Sequence, residues 1–266
     1  MKLVATDLDG TLVRKDRTLS PRTISVFRRL EHAGVFIVLV TGRPIRWISP
    51  VYDQLGVRAL TICVNGAATY DPSTDTIVHS SPLETDVLSE AVSRLRSEVP
   101  GVVFAVERDG GRQMRHEPDF PVGPWEVDHH SVGPASLEEI LTRPAAKLLI
   151  RAGAQPPDEF TARVAACLSG LAEATNSSSS GMVEVSAAGV TKATALARVA
   201  RTHAVAQDEV IAFGDMPNDL AMLTWAGRGV AMANAHPAVL AAAKDITDST
   251  NEDDGVAAYL ERVYNY

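Results

Sequence analysis

The sequence predicts an α/β protein: a doubly wound parallel-sheet core interrupted by an inserted α+β cap. Three observations lead there. Near the N-terminus, apolar segments of strand length alternate with segments of helical periodicity. The same alternation returns near the C-terminus, and a turn-rich stretch of different character lies between. Continuous apolar strands are what a parallel sheet covered on both faces requires. The expected boundaries are core over residues 1–81, cap over 82–186 and core again over 187–266.

The first strand is expected over residues 2–6. Ser20 and Pro21 then form an N-cap and a first-turn proline, Ile24, Phe27 and Leu30 follow at helical spacing, and Gly34 closes the helix. Residues 35–40 form a second buried strand. Residues 44–55 are helical in part, with Ile45, Ile48, Val51 and Leu55 on one side and Pro50 splitting the run. Residues 60–64 form a third strand. In the middle, residues 83–99 and 157–171 read as helices, and 102–106, 147–150 and 182–185 as strands. The serine run at 177–180 reads as a linker or hairpin loop. Late in the chain, helices are expected at 191–203, 217–226, 237–243 and 253–264, and strands at 210–213 and 229–232.

Composition narrows the function. The chain has 266 residues, 45% of them hydrophobic and 22% charged, which is ordinary for a globular protein with a large core. A net charge of −8 argues against binding a nucleic-acid backbone, which needs a basic face. No apolar run approaches the length that crosses a bilayer, and no signal-peptide pattern opens the chain. The expected compartment is therefore the cytoplasm. Cys63 sits in an apolar run and reads as a core residue, and nothing supports a bridge to Cys167.

Chemistry collects at strand ends. Asp7-Leu8-Asp9-Gly10-Thr11-Leu12 follows the first strand directly. A buried, unpaired carboxylate is costly. Two carboxylates at this spacing suit a metal site, or an attacking carboxylate with an acid/base partner. The second strand delivers Thr41-Gly42-Arg43, the third Asn65-Gly66, and the late strand Gly214-Asp215 followed by Asn218 and Asp219. In open α/β sheets, ligands bind beyond the carboxyl ends of the strands, so parallel neighbours bring these groups into one crevice. Asp7, Asp9 and Asp215 supply the hard oxygen ligands that Mg²⁺ prefers. Glycines 42, 66 and 214 are expected to let backbone approach a phosphate closely. Lys192 offers a charge at a helix start. The metal is needed: a carboxylate about 4 Å from a phosphate charge is repelled by ~4 kcal/mol at an effective dielectric of about 20.

These segments, with Lys192 and the run Gly214-Asp215-Met216-Pro217-Asn218-Asp219, resemble in order the four motifs of the haloacid dehalogenase superfamily. Residues 226–235 and 253–257 resemble its Cof-type phosphatase branch, which carries a large α+β cap between the second and third motifs. The likeness covers roughly residues 1–70 and 187–266. Ala193 departs from it, since the branch often has glycine after the lysine. The resemblance implies a Mg²⁺-dependent phosphatase acting on a small phosphorylated metabolite. It implies Asp7 as the nucleophile that forms an aspartyl-phosphate, and Asp9 as the acid and then the base. The carboxylates of Asp7 and Asp215 and the backbone carbonyl of Asp9 would hold the metal, with Asp219 supporting it. Thr41, backbone near Leu8 and Gly42, Lys192 and Asn218 would hold the phosphoryl group, with Asn65 and Arg43 beside them.

Plainer readings stand next to these. Asp219 also suits a helix cap, and Arg43 a structural ion pair. His129 and His130 point apart on a strand and read as cap surface. Arg108, Arg112, Arg115 and His116 read as a solvated hairpin. The alternative functions are a phosphomutase with the same covalent intermediate and a catalytically silent metabolite binder. A dehalogenase has no use for the proton transfer that Asp9 supplies.

Overall fold

Residues 1–123, 130–153, 155–176 and 181–265 are described by the structure, a computed structural model. The chain opens with β1 (Leu3–Thr6), α1 (Pro21–His32), β2 (Phe36–Val40), α2 (Ser49–Leu55), β3 (Leu60–Cys63), β4 (Ala68–Asp71) and β5 (Thr76–Ser80). It continues with α3 (Thr85–Glu98), β6 (Val103–Arg108), β7 (Gln113–His116), β8 (Val132–Pro134), α4 (Leu137–Ile140), β9 (Lys147–Arg151), α5 (Pro157–Cys167), β10 (Ala172–Thr175) and β11 (Val183–Ala187). It finishes with α6 (Lys192–Thr202), β12 (Val210–Gly214), α7 (Leu220–Trp225), β13 (Arg228–Ala231), α8 (Pro237–Ala242), β14 (Asp245–Ile246) and α9 (Gly255–Tyr264).

The core sheet has the order β14-β13-β12-β1-β2-β3-β4-β5. It is parallel from β14 to β3 and antiparallel through the β4–β5 hairpin. β1 is central, with Leu3 level with both Val210 and Phe36. Its side chains alternate between two apolar layers, as strand geometry demands. Val4 packs with Phe27 and Leu30 of α1 and Leu260 of α9, whereas Leu3 and Ala5 pack with Leu196 and Val199 of α6. Helices thus cover both faces, which is why the parallel strands are apolar throughout.

Local signals hold where they were read. The Ser20 side chain accepts from the Thr23 N–H ahead of Pro21, a cap of about 1 kcal/mol. The 44–55 run divides into a one-turn helix (Ile45–Trp47) and α2, with Pro50 in the first turn of α2 where its missing N–H costs nothing.

The cap is a second sheet, order β10-β11-β9-β6-β7-β8. Val106, Leu148, Val183 and Val185 face α3 and α5 and build its core with Leu88, Leu95, Phe160 and Val164. The opposite face carries Glu107, paired across the ladder with Lys147, and the neighbouring Glu184. All three are buried, because this face lies on the core sheet's end. Arg46 forms a two-pronged pair with Glu107 at 2.5 and 2.9 Å and also donates to the Gly111 carbonyl. A Cβ on Gly111 would come within 2.4 Å of Pro44, so the glycine permits the cap to seat on that loop.

Four expectations change or fall outside. The hairpin β4–β5 and strands β7, β8, β10 and β14 carry no strong sequence signal; they are short, and pairing rather than propensity defines them. Arg108 and His116 are not solvated: both are buried, and Arg108 donates to the carbonyls of Glu139 and Ile140 near the end of α4. His129 and the serine run at 177–180 lie outside the described residues, while His130 is exposed. Cys63 is buried and Cys167 half-buried, and both are free.

Candidate active site

Asp7 follows β1 directly. Its N–H donates to the carbonyl of Phe213 on β12, continuing the ladder and fixing where its side chain emerges. The carboxylates of Asp7, Asp215 and Asp219 converge, with one ligand atom of each within 4.8 Å of the others, and all three residues are buried. Lys192, the first residue of α6, reaches in from the other side. Its Nζ donates to Asp7 Oδ1 at 2.6 Å and to Asp219 Oδ1 at 2.7 Å. Thr191 caps that helix in a capping box with Thr194, which sets the direction of the lysine stem. The Ala193 departure therefore leaves the charge in place.

The electrostatics are unbalanced. Three buried carboxylates meet one ammonium. Burial first, and the neighbouring carboxylates after it, push the Asp7 carboxyl well above its ordinary range although Lys192 opposes this. Burial and the Asp219 charge push Asp215 up to about 7. Lys192 is held above its ordinary value: burial works against the charge, but Asp219 and Asp7 outweigh it. A site with surplus buried negative charge and hard oxygen donors fits a divalent cation, which inverts these pKa pressures.

Each carboxylate is held differently. Asp215 Oδ1 accepts from the Thr11 hydroxyl at 2.7 Å. Gly10, at φ +80°, lies so close that a Cβ there would be 2.3 Å from Asp215 Oδ2. The Asn234 amide braces the turn by donating to the Gly10 carbonyl at 2.8 Å. Asp219 is fully engaged: Oδ1 takes Lys192, and Oδ2 accepts from the N–H groups of Asp215 and Met216. It is at once a cap for its own loop and the partner of the lysine.

Asp9 stands apart at the rim. Its side chain is 57% exposed and paired with Arg43 through both oxygens, at 2.7 and 2.5 Å. Thr41 is buried, and its hydroxyl accepts from the Arg43 N–H. The loops after β2 and β3 are knitted together, with Asn65 N–H donating to the Thr41 carbonyl and Val64 N–H to that of Arg43. Val64, Asn65 and Gly66 all have positive φ, at 55°, 57° and 109°. For a β-branched valine this is strained, at a cost of roughly 1–3 kcal/mol. The turn aims the Asn65 amide at Asn218, whose Nδ2 donates to Asn65 Oδ1 at 3.1 Å. The Leu8 side chain is core, and its carbonyl anchors the turn by accepting from Leu12 and Val13.

Two glycines differ from expectation. Protein fills the space beside them: a Cβ on Gly214 would meet the Asp219 side chain at 2.5 Å, and one on Gly66 the Thr191 carbonyl oxygen at 2.4 Å. They are small so that the lysine's helix and the 215–219 loop can close on the strands. Sequence reasoning also passed over Thr11, Gly10 and Asn234 as individual residues, although all three lie inside segments it singled out.

A family model for haloacid dehalogenase-like hydrolases matches residues 4–260. The chain belongs to this family. Within it the chain is a Cof-type phosphatase. It is 32% identical over 99% of its length to the 5-amino-6-(5-phospho-D-ribitylamino)uracil phosphatase YitU of Bacillus subtilis, 97% of which is covered. It is 28% identical to the pyridoxal phosphate phosphatase YbhA of Escherichia coli, with 97% of each chain covered. Among solved structures, a haloacid dehalogenase-like hydrolase from B. subtilis superposes with a TM-score of 0.84 at 24% identity, covering 99% of this chain and 100% of that one. A sugar phosphatase of the family's subclass IIB gives 0.82 at 21% identity over the whole of both chains. The last two establish the shared core-and-cap fold. No helix among the described residues is long and apolar enough to cross a membrane.

Proposed function

We propose that this chain is a Mg²⁺-dependent phosphatase that hydrolyses a small phosphorylated metabolite by way of a phosphoryl group carried on Asp7. The reading takes residues 82–186 as the cap and residues 1–81 and 187–266 as the core. The observation that carries it is the convergence of the Asp7, Asp215 and Asp219 carboxylates at the carboxyl end of the central strand, with Lys192 bonded to Asp7 and Asp219. Relatives named for a ribitylaminouracil phosphate and for pyridoxal phosphate support a small phosphate ester as the substrate class. Two unpaired cysteines fit a reducing compartment such as the cytoplasm.

Asp7 offers one oxygen to Lys192 and retains the other for attack on phosphorus. Attack breaks the bond to the leaving-group oxygen, and Asp9 supplies the proton that oxygen needs. Asp9 must let go of Arg43 to do so, and a substrate entering beside the rim competes for that pair. Asp9 then takes a proton from water as it attacks the phosphorus carried on Asp7, releasing phosphate. Lys192, Thr41 and backbone near Leu8 and Gly42 hold the phosphoryl oxygens, with Asn65 and Asn218 lining the pocket. The carboxylates of Asp7 and Asp215 and the backbone carbonyl of Asp9 would hold a magnesium ion, which would supply the positive charge that offsets carboxylate–phosphate repulsion. Asp219 takes no direct part, because both its oxygens are engaged in holding Lys192 and the 215–219 loop.

The test is Asp7→Asn assayed on p-nitrophenyl phosphate with Mg²⁺. The isosteric amide keeps the fold, and kcat is expected to fall by about 10³ or more, the loss typical of removing a nucleophile. Residual turnover above a tenth of wild type refutes the assignment.

A further inference from the structure

Between cap and core runs a buried chain of polar side chains whose hydrogen-bond directions are fixed from one end. Lys147 on β9 donates from Nζ to Glu184 Oε1 at 2.7 Å and to the Gly42 carbonyl at 2.8 Å. Glu184 on β11 accepts on its other oxygen, Oε2, from Asn65 Nδ2 at 2.7 Å. Asn65 Oδ1 accepts from Asn218 Nδ2. Asn218 Oδ1 is then left buried with no hydrogen-bond partner.

An amide's orientation is normally a matter of inference from its partners. Here the partners leave one solution. An ionised carboxylate only accepts, so Asn65 must turn its NH₂ toward Glu184 and its carbonyl toward Asn218. Asn218 must answer with its NH₂, which leaves its carbonyl oxygen as the unpartnered end of the chain. A phosphoryl oxygen is an acceptor and gains nothing from that carbonyl. A hydroxyl or N–H on the substrate does.

We propose that Glu184, held in place by Lys147, is a positioning residue for specificity: from the cap it sets the polarity of the Asn65–Asn218 amide pair, so that the closed site prefers phosphate esters whose leaving group carries a hydrogen-bond donor close to the ester oxygen. This rests on the phosphatase reading above and narrows its substrate class. It also ties the cap to the chemistry, because the residue that fixes the direction of the pair belongs to the cap sheet and the pair itself to the core.

The test uses a single-atom change. In Glu184→Gln, Lys147 still requires an oxygen, so the new NH₂ faces Asn65 and the whole chain reverses. Asn218 then offers its NH₂ to the pocket instead of its carbonyl. The probes are glycerol 3-phosphate and propane-1,3-diol phosphate, which differ by the hydroxyl next to the ester-bearing carbon, compared by the ratio of their kcat/KM values. Wild type is expected to favour the hydroxylated ester at least tenfold, and Glu184→Gln to bring the ratio to about one or below. Asn218→Ala, which removes that carbonyl, is expected to lose the preference at lower overall activity. A wild-type ratio near one, or a Glu184→Gln ratio equal to wild type, overturns the proposal. If Glu184→Gln fails to fold, a preference kept in Asn218→Ala overturns it as well. Failure of the phosphatase reading is distinct, since no phosphate would then be released from either ester or from p-nitrophenyl phosphate.

Discussion

Replacing Asp215 with asparagine should make the metal-free protein more stable, by a margin that widens from about 1.5 kcal/mol at pH 5 to about 4 kcal/mol above pH 7. Burial and the Asp219 charge push the Asp215 carboxyl up to about 7, against the help of the Thr11 hydroxyl. In the unfolded chain the same group releases its proton near ~3.9. Between those values the native state binds more protons than the unfolded state, so stability falls as pH rises. One proton over roughly three pH units, at about 1.4 kcal/mol per unit, gives a loss on the order of 4 kcal/mol. Asp7 is shifted in the same direction, in part by the Asp215 charge itself. The difference between the two proteins therefore reports Asp215 together with the pressure it puts on Asp7. Urea unfolding in EDTA at pH 5, 6, 7 and 8 should show a gap that opens with pH in favour of Asp215→Asn. Adding Mg²⁺ should stabilise wild type at pH 8 and not the variant, because binding to the native state alone is stabilising. A gap that stays constant from pH 5 to 8 in EDTA would show that the buried carboxylates are not competing for charge, and the argument for a cation between them would fail.

Two further outcomes follow from the same cluster. Lys192→Met leaves Asp7 and Asp219 buried without their cation; it should destabilise the protein by about 3–5 kcal/mol at pH 7, less at pH 5, and abolish phosphatase activity. Gly10→Ala forces a side chain into a left-handed position at φ +80° and against Asp215; it should cost roughly 1–3 kcal/mol and raise the Mg²⁺ concentration needed for half-maximal activity, measured by titration of the assay.

Much of the core was legible because its signals are local. Each buried strand is a short apolar run, Ser20-Pro21 announces a helix start, and Pro50 announces a break, so strand order along the chain and most helix positions follow from neighbours in sequence. The hairpin β4–β5 was not legible: β5 alternates between exposed and half-buried residues and exists through its pairing with β4. Strand β10, Ala-Glu-Ala-Thr, has weak strand propensity and is likewise made by its neighbour β11. Arg108 and His116 misled for a related reason, since a charged side chain near a turn gives no sign that a helix end or a sheet will cover it.

The sequence by itself determined which chemical groups this protein brings to a site. Carboxylates at the ends of apolar strands and a lysine opening a helix are statements about residue type and spacing, and the sheet's parallel winding carries them to one edge. Only the tertiary structure decided how those groups are partnered. Arg43 turned to Asp9, Asp219 became the anchor of Lys192, and Gly214 and Gly66 proved to make room for protein. It also decided that Glu184 and Lys147 on the cap sheet, far from any strand-end motif, reach the Asn65 amide and the Gly42 carbonyl of the core. Hydrogen-bond direction and burial depend on atoms brought together from distant parts of the chain, and no local pattern encodes them.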